Sequence, residues 1–359
     1  MQICKNIVEI WGDGVSNLST HRYTQISAIR YISMLMIVMN HILQYYDLYL
    51  QWFFDVGVQM FFFISGFLYG QKNIKSIWSW YKKQFIKIVK PYYILIGLVS
   101  LLYLIFFPDW FSIKKFIDSI TFRGALKGLT QMWFVRFILF CYFITPLLIL
   151  LRNWLTKKDL KIQLVILAAV TLTVEVFCHL INFRFLPTGN WMVYVVGFFF
   201  AYYYSLYGDK FFNTSNYISW ILAFLINGLI LFATFGNLQH YTWLDMGKSD
   251  VLIKLTQPST TLFKLGHTFL GLGLFLILFR FFRGIKMNKV LEYSDKYSYH
   301  VYLVHTLFIF CPISILAFES INPCLLVVGV YILSGITAII LQKLASFRFS
   351  LFMKKNINN

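Results

Sequence analysis

Apolar positions along this chain gather in long continuous runs separated by short polar stretches. Ten runs lie near 26–46, 53–70, 89–107, 130–151, 162–181, 191–207, 217–236, 262–282, 297–317 and 323–343. A membrane-crossing helix needs about 20 mainly apolar residues, because the hydrocarbon core is ~30 Å thick and each helical residue rises ~1.5 Å. Backbone polar groups have no water to bond with in lipid, so only helices or a closed barrel can span. The runs do not alternate, which excludes the barrel. The pattern predicts an all-α, polytopic membrane protein of about ten transmembrane helices. Residues 26–345 form its single membrane domain, between a cytoplasmic segment 1–25 and a cytoplasmic tail 346–359.

Charge orients this bundle. Placing the N-terminus in the cytoplasm puts 22 Lys and Arg on the inner side and 8 on the outer, with Arg30 and Arg136 inside helices. Cytoplasmic loops are enriched in basic residues, so both termini are expected inside. The formal charge of +18 is spread over loops beside apolar spans, which fits anionic headgroups rather than nucleic acid. Residues 1–25 lack the apolar core of a cleavable signal, so the first span is expected to direct insertion. Cys141, Cys178 and Cys311 fall inside spans without metal or disulfide spacing and read as small apolar residues.

The exceptions to apolarity carry the chemistry, since an ionisable group in a span costs a few kcal/mol. Arg30 and His41 stand eleven residues apart in the first span, close to three helical turns, so both project from one stripe about 16 Å apart. They are expected to face one hollow. Snorkelling of Arg30 and packing of His41 are the plainer alternatives. Lys83, Lys87 and Lys90 follow at i, i+4 and i+7, a basic stripe that either grips a polyanion or anchors the helix at the headgroups. Trp133 and Arg136 sit at the start of the fourth span. Glu175 and His179 form an i, i+4 pair, structural or proton-relaying. Ser298, Tyr302 and His305 share a face; His300 points elsewhere and reads as interfacial, and His267 as packing. The glycines of "GVQMFFFISGFLYG", residues 57–70, allow close helix approach.

Taken in order, these landmarks resemble the integral membrane acyltransferase family, type 3. Arg30 and His41 match its arginine-x10-histidine signature, and "DVGVQMFFFISGFL" from Asp55 is similar to its second helix. The run from Lys83 to Pro91 resembles its basic stretch, with Lys87 and Lys90 where arginines are usual. "WFVRFIL" from Trp133 and "YSYHVYLVH" from Tyr297 resemble two later motifs, with Gln131 and His300 replacing a common histidine and glycine.

The resemblance implies a multi-pass enzyme of the bacterial plasma membrane. Its acyl donor would be acyl-CoA, usually acetyl-CoA, and its acceptor a hydroxyl of a cell-surface polysaccharide or lipid-linked glycan. It implies no metal. His41 would be the catalytic residue, as base or transient acyl carrier, and Arg30 would count with it among the catalytic residues. Arg30, Lys83, Lys87 and Lys90 would hold the donor's phosphates, and Trp133, Arg136, Glu175, Tyr302 and His305 would line the substrate cavity. A glycan exporter without acyl-transfer chemistry is the rival reading, and a homo-oligomer is left open.

Overall fold

The computed structural model describes residues 23–180, 190–211, 214–245, 250–318 and 320–347; side chains of 171, 172, 174–180, 190, 209–216 and 234–264 lie outside the description. Every described element is helical. The helices are α1 (Thr24–Tyr45), α2 (Gln51–Phe54), α3 (Val56–Gly70), α4 (Ile77–Phe106), α5 (Ile113–Ile120), α6 (Trp133–Leu155) and α7 (Leu160–Leu180). They continue with α8 (Asn190–Phe211), α9 (Thr214–Asp245), α10 (Asp250–Phe281), α11 (Lys289–Val304), α12 (Leu307–Phe310) and α13 (Pro323–Ser346).

Each of the ten apolar runs overlaps these helices, with 297–317 broken between α11 and α12 and continuing past Phe310. Among the described residues, six segments are long and apolar enough to cross a membrane: Thr24–Tyr45, Gln51–Gly70, Ile77–Phe106, Thr130–Leu155, Lys289–Ala317 and Pro323–Ser346. Leu160–Val170, Tyr217–Ala233 and Leu265–Phe281 are shorter apolar helices. The long connection expected over 237–261 is instead helical on both sides of residues 246–249. The basic stretch before the third span is helical too: α4 begins at Ile77, where the Ser76 hydroxyl accepts from the Ser79 amide. Pro91 sits inside this helix.

Small residues set the tightest contact. α3 packs along α8, and a Cβ added at Gly66 would lie 2.0 Å from the Tyr194 carbonyl oxygen. One turn later a Cβ at Gly70 would meet the Phe198 oxygen at the same 2.0 Å. Only glycine permits that backbone approach, which gives the glycines of 57–70 their physical reason. α1 lies against α3 and α11, and α11 against α13. Arg152, which the sequence counts among loop cations, is buried at the end of α6. Its guanidinium donates to Gly70 O at 2.7 Å and Asn73 Oδ1 at 2.5 Å, tying the α3–α4 loop to α6.

Candidate functional site

Near one end of α1, a cavity of about 440 Å³ opens between α1, α3, α4, α6 and α11. Its volume is within the range of small-molecule sites, about 300–1,000 Å³. Arg30 lines it and is not free: Nη1 meets Asp295 Oδ1 at 2.5 Å, while Ser27 Oγ donates to Asp295 Oδ2 at 2.7 Å. Both members of the ion pair are largely withdrawn from solvent, 14% and 19% exposed. A pair made from side chains 265 positions apart fixes α1 to α11.

Three more cations reach the same cavity, Lys72 from the α3–α4 loop, Lys87 from α4 and Lys296 from α11. Asp295 is its only carboxylate among the described residues, so the ion pair leaves three lysine charges unmatched. The Lys72 ammonium sits below the ordinary lysine value, chiefly through partial desolvation and further through the charges of Lys83 and Arg30. A hollow of this kind favours a multiply charged anion.

The stripe read at Lys83, Lys87 and Lys90 is not brought together at the cavity. Lys87 alone lines the cavity. Lys83 is exposed and bears on the site through its field at Lys72 and Lys87. Lys90 Nζ donates to Phe347 O at 3.1 Å, holding the end of α13. The three share a helical face, but positions spread along two turns of α4 meet different neighbours. His300, expected at the interface, instead lines the cavity beside Ser298 and Tyr299.

His41 is not among the residues that line this cavity. A line of ring contacts runs from the cavity wall to it. Phe134 forms the cavity wall and packs on Tyr302 at 4.7 Å between centroids; Tyr302 packs on His305 at 5.7 Å, and His305 on His41 at 5.1 Å. The expected face of Ser298, Tyr302 and His305 therefore runs from the cavity to His41.

Each imidazole has a ring nitrogen within hydrogen-bond distance of an oxygen. His41 Nδ1 lies 3.0 Å from Gln44 Oε1, a contact in which the neutral ring protonated at Nδ1 leaves the lone pair on Nε2. His305 is fully buried and its Nδ1 faces Tyr302 O at 2.8 Å, which fixes the same tautomer. The His305 Nε2 has no hydrogen-bond partner among the described residues. Tyr302 OH donates to the Gln131 carbonyl, and Gln131 Nε2 to Thr306 Oγ1, so the residue that replaces a histidine pins the break between α11 and α12. In its neutral, Nδ1-protonated form His41 offers Nε2 as a proton acceptor at a half-buried site.

Trp133 and Arg136 do not line the cavity. Trp133 packs between Phe62 and Phe137, at 6.5 and 5.4 Å. Arg136 lies 4.9 Å over the Phe137 ring and donates to Phe122 O at 3.4 Å, bracing the segment between α5 and α6. The Glu175 and His179 side chains lie outside the described residues. His267 is buried against Phe232, with Nε2 2.7 Å from Trp52 O, a packing arrangement. Among the described residues, no three His, Cys, Asp or Glu side chains converge as metal ligands.

Asp295 and Lys72 escape sequence reading, the first because its partner is remote in the chain and the second because it resembles any loop lysine. Compared with known proteins, the chain matches no curated protein and no solved structure. Residues 23–343 match the protein family described as acyltransferase domain, a stretch that holds the cavity and both imidazoles. On that match, which spans nearly all of α1 to α13, the chain belongs to the type 3 family of integral membrane acyltransferases.

Proposed function

We propose that this protein transfers an acetyl group from acetyl-CoA to a carbohydrate hydroxyl at the bacterial plasma membrane, with His41 as general base. The observation that carries the reading is the His41 ring, with Nδ1 against Gln44 Oε1 and the ring packed on His305. In the step, the sugar oxygen bonds to the thioester carbonyl carbon while its proton passes to His41 Nε2. The carbon–sulfur bond then breaks, and the proton leaves with the thiol. A positioned base of this kind contributes about 10²–10⁴-fold.

The cation-lined cavity supports the donor assignment. Lys72 and Lys87 would meet phosphate oxygens, and Arg30, braced by Asp295, would stay charged and oriented between them. The Phe134–Tyr302–His305 line leads from that cavity to His41, so the thioester reaches the base once the Phe134 ring turns aside. On the basic-residue count, the cavity faces the cytoplasm, where CoA resides. The acceptor, a polysaccharide or its lipid-linked precursor, would then approach His41 from the opposite end of α1.

Purified protein in proteoliposomes, given acetyl-labelled acetyl-CoA and extracted cell-surface glycan, tests this reading. Label should appear in ester linkage on the glycan and be released by mild base. Movement of unmodified glycan across the vesicle without label transfer would overturn it in favour of an exporter.

A further inference from the structure

A second hollow lies outside the reaction cavity, between α1, α11 and α13. It encloses about 530 Å³, walled by Met34, Leu35 and Val38, by Val301, and by Ile332 and Ile336. Ile332 and Ile336 are 56% and 51% exposed, so the hollow opens on the outer surface of the bundle, which spanning helices turn toward hydrocarbon. Two of the phenols at its edge are committed: Tyr331 OH donates to Leu35 O at 2.8 Å and Tyr293 OH to Gly335 O at 2.9 Å. Tyr31 and Ser298 also line it, and two further polar groups bear on its chemistry. Lys289, the first residue of α11, lines one end, and no carboxylate lines the groove among the described residues. Ser294, 4% exposed, lines the wall with its hydroxyl lacking a hydrogen-bond partner.

We propose that this groove binds an anionic phospholipid, one hydrocarbon chain lying along the apolar wall and the phosphate against Lys289. An apolar hollow of this size facing the bilayer is filled by hydrocarbon rather than water. The single cation at its mouth selects the headgroup, since a zwitterionic lipid would bring its own ammonium toward Lys289. The five residues from Lys289 to Ser294 rise about 7.5 Å along the helix. That offset sets the Ser294 hydroxyl below the phosphate, where an acyl ester oxygen can accept its hydrogen.

The position gives the lipid a consequence. Ser298 lines both hollows, and Ser294 directly precedes Asp295, the partner of Arg30. The bound chain therefore braces the turn of α11 that presents Asp295 to the reaction cavity.

Protein exchanged into nanodiscs of phosphatidylglycerol or phosphatidylcholine, then released for native mass spectrometry, reads the site directly. One retained phosphatidylglycerol per chain is expected, favoured over phosphatidylcholine about fivefold, the equivalent of about 1 kcal/mol per basic residue. Lys289→Gln, a change at an exposed position, should erase that preference while leaving a retained chain. Ile332→Trp, which fills the groove, should remove both lipids. Equal retention of the two lipids by the unaltered protein, or a preference that survives Lys289→Gln, would overturn the proposal. The readout is lipid retention, so it stands whether or not the protein transfers acyl groups.

Discussion

His41 and His305 lie face to face between α1 and α11, ring centroids 5.1 Å apart and planes tilted by 33°. Each has its Nδ1 within hydrogen-bond distance of an oxygen. The His41 ring is half-buried and the His305 ring fully buried. Protonating His41 therefore places the cation beside a ring that its bond to Tyr302 O holds in orientation.

That relationship sets the first prediction. His305→Phe keeps a ring against His41 but removes the Nδ1 hydrogen bond to Tyr302 O that orients it. The loss of one such polar contact, about 0.5–1.5 kcal/mol, should lower kcat roughly 3- to 10-fold. Steady-state kinetics with donor KM unchanged is the expected pattern; kcat equal to that of the unaltered protein would reduce His305 to packing.

Lys87 and Lys90 should separate. Lys87→Ala removes a cavity cation and should raise the donor KM about fivefold with little change in kcat, a loss of uniform binding. Lys90→Ala breaks only the contact to Phe347 O and should leave KM alone. Donor titrations of the two variants under one buffer decide it, and equal effects would dissolve the distinction.

The Arg30–Asp295 pair should show in stability. A double-mutant cycle of Arg30→Met and Asp295→Asn, read by thermal unfolding in detergent, is expected to give a coupling of about 1–3 kcal/mol. Each single change strands a largely buried partner. Additive effects would mean that the two side chains do not depend on each other.

Much of this arrangement is legible from residue spacing. The 3.6-residue repeat places Ser298, Tyr302 and His305 on one face, and apolar run length locates the helices. Periodicity says which residues share a face, not what lies opposite that face. Arg30 and His41 do project from one stripe of α1, yet Arg30 lines the cavity while His41 packs on His305 and Phe310. Asp295 and His300 enter the cavity for the same reason, through packing between helices remote in sequence. Lys90 and Arg152 look like loop or headgroup cations because a carbonyl partner leaves no trace in side-chain pattern.

Gly66 offers a test of the frame. Gly66→Ala would set a methyl 2.0 Å from the Tyr194 oxygen, a backbone atom that cannot swing away. Separation of α3 from α8 should cost about 1–3 kcal/mol, read as a lowered Tm. An unchanged Tm would contradict the close approach.

The central claim, that His41 supplies the base, is tested most directly by His41→Ala assayed for single-turnover acetyl transfer alongside donor binding by calorimetry. Transfer should fall about 10²–10⁴-fold with donor Kd unchanged. Transfer that persists at the unaltered rate, or a loss explained wholly by weakened donor binding, would contradict it.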